Sequence, residues 1–398
     1  MKNIHELDIF EKKINVFLLC GGIGSRISKY TKKTPKPLIR VERHPFLYYL
    51  IKNLTRYNFK NFYLLTYYKH EKFLEFKKKY QKILKVKIKI ISEKQKLDTG
   101  GAVLNAIKKI NNKFDYMVLN GDTYLDANFD NIYAEFLKLD TIYMPIIKTK
   151  KESFKLNAIS TEKSGRLKFS KKSRFMNSGT YLFKKKHLKS FFNYKKCSLE
   201  NDILIKKIKQ KKVYGFKCYD NFIDIGSYSS LNKINNFIKK FFYPKKTLFL
   251  DRDNTLNYDD GYVHKVKNLK LIKKNILEIK KKYRNYLKVI ITNQSGIGRK
   301  IFSKKNFDVF TYHLIKKLYN ENIFISKVYY CPHHIDAKEK RYKRKCNFRK
   351  PNTGMINMAL KKLEIIKDKN CLIIGNDKND QELSKRTNIK YVDANKII

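Results

Sequence analysis

The chain has 398 residues, 42% of them hydrophobic, which is too long for one ordinary domain and apolar enough for more than one core. Lysine interrupts every apolar run before it is long enough to span a bilayer, which excludes membrane insertion, and the N-terminus lacks the apolar stretch of a signal peptide. The net charge of +55 is mostly lysine spread along the whole chain, accompanied by 28 Tyr, 27 Phe and no Trp, so it marks a solvated cationic surface and no nucleic-acid partner, which would call for a local basic patch.

A short polar lead ends near Lys13. The apolar run Val16–Cys20 predicts a buried strand, followed directly by a Gly-rich turn. Helical periodicity runs over Phe46–Tyr57, and strands are expected at Phe62–Thr66 and Val86–Ile91. Thr99–Ile110 reads as a helix, and Tyr116–Leu119 as a strand ending at Asn120-Gly121-Asp122. This alternation predicts an α/β fold with a largely parallel sheet, whose ligands bind beyond the carboxyl ends of the strands. Asn236–Lys246, punctuated by Pro244, is the expected linker. The alternation then restarts with strand Thr247–Leu250, a helix near Ile276–Tyr286, strand Lys288–Thr292 and a helix near Asn306–Asn320. Strands Lys327–Tyr330 and Cys371–Ile374 complete a second α/β domain, giving expected domains of 14–240 and 246–398. No short-period repeat is present. Six cysteines without framework spacing fit reduced thiols and a cytoplasmic location. No feature of the chain signals an oligomeric state.

The first chemical signature is VFLLCGGIGSRISKYTKKTPKPL, Val16–Leu38. Gly21, Gly22 and Gly24, with Ser25 beside them, permit a turn that brings backbone N–H groups to phosphate oxygens. Arg26 can bridge those oxygens, and Lys36 sits between two prolines that stiffen its loop. Residues 14–235 resemble the sugar-1-phosphate nucleotidyltransferase family, in its heptose- and mannose-1-phosphate guanylyltransferase branch. The matching pieces also include LDTGGAVLNA (Leu97–Ala106), LNGDTYLD (Leu119–Asp126), MNSGTYLF (Met176–Phe183) and FIDIG (Phe222–Gly226). The resemblance implies a Rossmann-like, mixed and mostly parallel sheet, with Gly21 and Gly22 on the nucleotide and Gly101 near the base. It further implies that Asp122 and Asp224 share Mg²⁺ and that Asn177 touches the sugar. In SKKSR (Ser170–Arg174), Lys172 matches the family's lysine, whereas Lys171 replaces a glutamate and leaves the sugar open. Cys20 and Ser25 stand where relatives usually carry Ala and Thr.

The second signature is TLFLDRDNTLN, Thr247–Asn257. Asp251 and Asp253 emerge at a strand end with a period of two, so one carboxylate can attack phosphorus while the other protonates the leaving oxygen. With ITNQSG (Ile291–Gly296), FRKP (Phe348–Pro351) and IIGNDKND (Ile373–Asp380) in order, this region resembles the haloacid dehalogenase superfamily of phosphohydrolases, a Rossmannoid fold. The resemblance implies Asp251 as nucleophile, Asp253 as general acid/base, Thr292 and Asn293 orienting the phosphoryl group, and Lys350 neutralising it. Arg349 would clamp a second phosphate. Mg²⁺ would sit among Asp251, Asp253 and the last motif, where Asn376 replaces the usual Asp and Asp377 or Asp380 supplies charge. Asn254, where Gly is commoner, suits a left-handed turn.

With DDGYVHKVKNLKLI (Asp259–Ile272), SGIGR (Ser295–Arg299) and YYCPHH (Tyr329–His334), residues 247–393 resemble, within that superfamily, the D,D-heptose 1,7-bisphosphate phosphatases, with the histidinol-phosphate phosphatases as close relatives. Those relatives carry a four-ligand zinc loop. Here Cys331, His333 and Cys346 are present but Phe348 fills the fourth place, leaving an incomplete Zn²⁺ set with His334 as a candidate substitute.

The expected function is a bifunctional enzyme of nucleotide-activated heptose synthesis, using GTP and sugar phosphates. The alternative is a mannose- or other hexose-1-phosphate nucleotidyltransferase fused to a histidinol-phosphate-type or other small phosphatase. Nucleic-acid end repair is a further class, although no ligase-like KxDG motif occurs. A half-active protein is a third, raised by Lys171, Phe348 and Asn376.

Overall fold

A computed structural model of the chain describes residues 5–7, 12–110, 112–153, 158–170, 172–188 and 194–397. Lys171 lies outside them. The chain divides into a unit of Glu11–Phe242 and a unit of Tyr243–Ile398 that also takes in Met1–Phe10.

The Glu11–Phe242 unit is built on an eight-stranded mixed sheet. Its parallel part is Asp115–Asn120, Ile14–Leu19, Asn61–Thr66 and Lys87–Ser92, side by side. Val16, Phe17 and Leu18 have no exposed surface, as a central parallel strand covered on both faces requires. Helices Phe46–Thr55, His70–Leu84 and Asp98–Lys109 connect these strands.

The other half of the sheet is largely antiparallel, which makes the sheet mixed as the resemblance implied, although its individual strands were not read from the sequence. Thr180–Phe183 pairs antiparallel with Asp115–Asn120 and with Ile142–Ser153; the latter also takes Ser173–Asn177 antiparallel and Val213–Cys218 parallel. Several of these strands are short and mix Lys, Ser and Asn with their apolar residues, so local alternation is weak. Their burial comes from a shared core of Val118, Ile142, Met144, Tyr181 and Val213.

The stretch expected to be a linker is instead helical up to Phe242. Ile238 and Phe242 are fully buried, Phe242 lies edge-on to Tyr49, and the Arg56 guanidinium sits 4.1 Å over its ring. Apolar residues that can pack do not form a solvated spacer.

The second unit has a six-stranded sheet ordered Glu6–Leu7, Ile325–Cys331, Leu287–Asn293, Thr247–Leu250, Cys371–Gly375, Lys390–Asp393. Five strands are mutually parallel, and Glu6–Leu7 adds antiparallel to the edge. The supposed polar lead thus contributes a strand. None of the six cysteines is in a disulfide, and among the described residues no helix is long and apolar enough to cross a membrane.

Candidate active sites

In the first unit the central strand delivers the chain to Leu19, and the loop after it turns at Gly24, whose φ of +72° favours glycine. A side chain at Gly24 would also meet Thr31 Cγ2 at 2.8 Å, while the Thr31 hydroxyl donates to the Gly24 carbonyl at 3.1 Å. Pro35 leads into a short turn, Lys36–Leu38, that aims the buried Lys36 inward. Asp122 follows the neighbouring strand. Pairing of Phe222–Asp224 with Thr123–Leu125 sets Asp224 opposite Thr123, and Ile225 N–H donates to the Asp122 carbonyl at 3.0 Å. The Lys36 ammonium is ion-paired to Asp122 and lies 3.6 Å from Asp224 Oδ1. Arg26 reaches the same spot: a Cβ placed on Gly226 would be 3.0 Å from Lys36 Nζ and 3.2 Å from Arg26 Nη2.

These groups open onto a cleft of about 210 Å³ lined by Gly22, Gly24, Ser25, Arg26, Lys36, Asp122 and Gly226. An adjoining cleft of about 340 Å³ shares Leu19, Gly22 and Asp122 and continues past Gly21, Tyr67, Glu93, Thr99 and Glu200. Two cations, two carboxylates and a backbone loop at one end, with an amphipathic cleft at the other, suit a phosphate chain attached to a larger polar body. Paired carboxylates of this kind offer the hard oxygens that Mg²⁺ takes. Burial, then the nearby Asp122 charge, push the Cys20 thiol far up, so it stays neutral.

Other expected contacts fall elsewhere. Gly101 does not line either cleft: its N–H donates to the Cys197 carbonyl at 3.1 Å, and a Cβ there would sit 2.8 Å from the Lys195 carbonyl oxygen. Its glycine serves packing against the 195–197 segment, while its neighbours Thr99 and Ala102 face the cleft. Asn177 is likewise not a wall residue. Its side chain donates to Tyr181 Oη at 2.7 Å and accepts from Gly179 N–H at 2.8 Å, and Tyr181 in turn donates to Glu200 at 3.0 Å. Lys172 is exposed, its N–H donating to Ser170 Oγ at 3.3 Å and its carbonyl accepting from that hydroxyl at 2.7 Å, and it lines neither cleft. Glu200 and Glu93 were not anticipated. Glu200 accepts from Thr99 Oγ1 at 2.8 Å, and Glu93, whose carboxyl is raised by burial, accepts from Leu97 N–H at 2.9 Å. The only sequence signal for Glu200 was its place in SLEND, just after Cys197.

In the second unit Asp251 follows the strand Thr247–Leu250 and is buried. Lys350 Nζ lies 2.6 Å from Asp251 Oδ1 and 2.7 Å from Asp380 Oδ1. Burial first, and then the Asp380 and Asp253 charges against the opposing Lys350, raise the Asp251 carboxyl to about 7. Burial alone would lower Lys350, but the two carboxylates overcome it and hold the ammonium charged. Asp253 accepts from Arg252 Nε at 2.8 Å and Nη2 at 2.9 Å, from Gln294 at 2.7 Å and from Asn257 at 3.1 Å. Arg252, Gln294 and Asn257 are additions to the expected set. Asn254 takes the left-handed conformation at φ 52°.

Thr292 accepts from Gln294 at 2.9 Å. The Asn293 amide is tied to the Lys350 backbone, accepting from Lys350 N–H at 2.9 Å and donating to its carbonyl at 3.1 Å. Through these two bonds it positions Lys350. The Asp377 carboxylate caps the helix Lys378–Thr387, accepting from Asp380 N–H at 2.9 Å, with Asn379 at 3.0 Å on its other oxygen. Asp380 is the acid beside Lys350, and its Oδ2 is buried with no hydrogen-bond partner among the described residues. Asn376 accepts from Thr255 at 3.4 Å. The carboxylates of Asp251 and Asp380 and the Asn376 amide oxygen fit Mg²⁺.

The zinc expectation also changes. Cys331, His333 and Cys346 come together with a fourth donor, His5, and their ligand atoms all lie within 4.8 Å of one another. His334 is elsewhere, 3.2 Å from Arg299 Nη2 and 3.4 Å from Asp336. His333 is fully buried, and its Nδ1 faces Cys331 Sγ at 3.7 Å. Arg349 Nη1 donates to the His333 carbonyl at 3.3 Å.

Residues 15–240 match the nucleotidyl transferase family. The chain belongs to that family. Behind its nucleotidyl transferase domain, residues 246–396 match the polynucleotide kinase 3 phosphatase family. The D-glycero-beta-D-manno-heptose-1,7-bisphosphate 7-phosphatase of Pasteurella multocida is 40% identical over 141 residues, 35% of this chain and 75% of that protein. The enzyme of the same name from Haemophilus influenzae is 43% identical over 121 residues, 30% of this chain and 65% of that protein, slightly under two thirds of its length. Among solved structures, HddC from Yersinia pseudotuberculosis is 26% identical, covering 56% of this chain and 99% of that one, with a TM-score of 0.49. The chain is therefore a fusion of a nucleotidyl transferase domain with a haloacid dehalogenase-like phosphatase domain.

Proposed function

We propose that the chain makes a nucleotide-activated heptose in two steps. The phosphatase domain would remove the 7-phosphate of D-glycero-D-manno-heptose 1,7-bisphosphate, and the transferase domain would join the heptose 1-phosphate to GMP from GTP, releasing pyrophosphate. The observation that carries this reading is the similarity of the second domain to heptose bisphosphate phosphatases. Their named substrate loses its 7-phosphate to become a sugar 1-phosphate, the acceptor class that a fused sugar nucleotidyltransferase consumes.

In the phosphatase step an Asp251 oxygen attacks phosphorus, the bond from phosphorus to the sugar O7 breaks, and Asp253 delivers a proton to that oxygen. Water, deprotonated by Asp253, then cleaves the aspartyl phosphate and regenerates Asp251. Lys350 offsets charge on the phosphoryl oxygens, while Asn293 and Asp380 hold it in place. In the transferase step a phosphate oxygen of the sugar 1-phosphate attacks the α-phosphorus in line and pyrophosphate leaves. Arg26 and Lys36 stabilise the developing charge, and the loop from Gly21 to Ser25 cradles the phosphates. Mg²⁺ would be held by Asp122 and Asp224 in one domain, and by Asp251, the Asp253 carbonyl, Asn376 and Asp380 in the other. Its chemistry in both is to neutralise phosphate charge and fix the reacting oxygens. On this reading the protein would work in the cytoplasm, where GTP and sugar phosphates are made.

Incubating the purified chain with heptose 1,7-bisphosphate, Mg²⁺ and each nucleoside triphosphate in turn tests the proposal. Release of inorganic phosphate and a GDP-sugar from GTP is expected; neither product appearing would refute it. A second reading, removal of a 3′-phosphate from a polynucleotide, is favoured by the second family match. Faster hydrolysis of a 3′-phosphorylated oligonucleotide than of the sugar bisphosphate would select it.

A further inference from the structure

We propose that His5 is the fourth ligand of a structural zinc site in the phosphatase unit, so that residues lying ahead of the transferase domain complete the domain that follows it. Cys331, His333 and Cys346 come from the phosphatase sequence, and His5 arrives from the other end of the chain. Two thiols and two imidazoles form a soft, nitrogen- and sulfur-rich set that selects zinc over magnesium. Tetrahedral bonds of about 2.0–2.3 Å place ligand atoms roughly 3.3–3.8 Å apart. Cys331 Sγ and His333 Nδ1 are already 3.7 Å apart, and all four ligand atoms lie within 4.8 Å of one another, so small side-chain rotations close the shell.

The surroundings of His5 are those of a ligand. Its Nδ1 faces the Tyr330 carbonyl at 3.1 Å, and a carbonyl can only accept, so the ring proton sits on Nδ1 and Nε2 carries the lone pair. The Phe348 ring stacks on the imidazole at 4.1 Å between centroids and 5° between planes. Phe348 occupies the place where the sequence resemblance put a fourth ligand; here it orients the replacement. The backbone is held as well. Tyr330 N–H donates to the His5 carbonyl at 3.0 Å, Glu6 pairs with Lys327 at 3.1 Å and with Lys362, and Glu6–Leu7 extends the sheet.

The site also supports the catalytic loop. Asn352 donates to the Cys346 carbonyl at 3.1 Å, and Arg349 donates to the His333 carbonyl at 3.3 Å. A metal joining Cys346 to Cys331 and His333 would therefore brace the turn that presents Arg349 and Lys350.

The test uses the full chain, its His5→Ala variant and the double variant His5→Ala/Phe348→Cys, with zinc itself and Co²⁺ as probes. The wild type is expected to retain one zinc per chain and, with Co²⁺, to give the intense visible bands of a tetrahedral dithiolate site. His5→Ala should bind zinc at least 100-fold more weakly in chelator competition and show an altered cobalt spectrum. Phe348→Cys in that background should restore tight binding, with a stronger thiolate-to-cobalt charge-transfer band. If His5→Ala does not fold, recovery of fold and zinc by the double variant upholds the assignment, and failure of that recovery overturns it. A wild type without zinc, or a His5→Ala variant matching wild type in affinity and spectrum, also overturns it.

Discussion

Asp251→Asn and Lys350→Met are expected to shift the stability of the phosphatase domain in opposite directions at pH 8. Lys350 Nζ lies between Asp251 at 2.6 Å and Asp380 at 2.7 Å, and all three side chains are less than a tenth exposed. Fully ionised, this buried trio carries a net charge of −1. Burial, followed by the neighbouring carboxylates, raises Asp251 from 3.8 to about 7 even with Lys350 opposing. Between those values the folded chain holds a proton that the unfolded chain has released. Stability contributed by Asp251 is therefore lost as pH rises from about 4 to about 7 and is level above that. One such titration amounts to at most about 4 kcal/mol. Asp251→Asn removes it and leaves the Lys350–Asp380 pair, so the variant should gain stability at pH 8 and lose most of that gain by pH 4. Lys350→Met leaves two facing carboxylates uncompensated and should cost about 3–5 kcal/mol at pH 8, less at pH 5 where Asp251 is protonated. Urea unfolding, with hydrogen exchange in strand Thr247–Leu250 to read this domain separately, measures both. Destabilisation by both variants at pH 8, or a pH-independent effect of Asp251→Asn, would refute the reasoning.

Lys36→Ala should lower nucleotidyl transfer at least 100-fold while leaving phosphate release from the bisphosphate unchanged, as separate steady-state assays would show. Gln294→Leu removes the 2.7 Å donor on Asp253 but keeps the Arg252 fork; kcat for phosphate release should fall about 10–100-fold with little change in KM. Arg56→Met removes a buried guanidinium that donates to the Phe242 carbonyl at 2.9 Å and stacks on its ring. It should cost the transferase domain about 2–3 kcal/mol in urea unfolding.

The parts of the fold legible in the sequence are those made by strong local patterns. Val16–Cys20 and Thr247–Leu250 are uninterrupted apolar runs, and each corresponds to a central parallel strand. The antiparallel strands between Ile142 and Cys218 escaped notice because most are short and their apolar and polar residues follow no regular period of two. Their partners lie far away in sequence. The linker expectation failed at Phe237–Phe242 for a related reason: a Lys-rich stretch reads as solvated until Tyr49, Tyr124 and Arg56 are found beneath it.

By itself the sequence determined the chemistry available: a Gly-rich phosphate loop with Arg26 and Lys36, paired aspartates at a strand end, and the soft donors Cys331, His333 and Cys346. Each lies within a short window, where spacing and residue type carry the meaning. Only the tertiary structure decided which groups meet. It turned Asn293 toward the Lys350 backbone, chose Asp380 over Asp377 beside Lys350, and set Glu200 rather than Asn177 on the cleft wall. It also laid His5 beside Cys331 across most of the chain length. That last contact depends on a two-residue strand finding a sheet edge, and no local pattern in a short polar lead encodes the address of its partner.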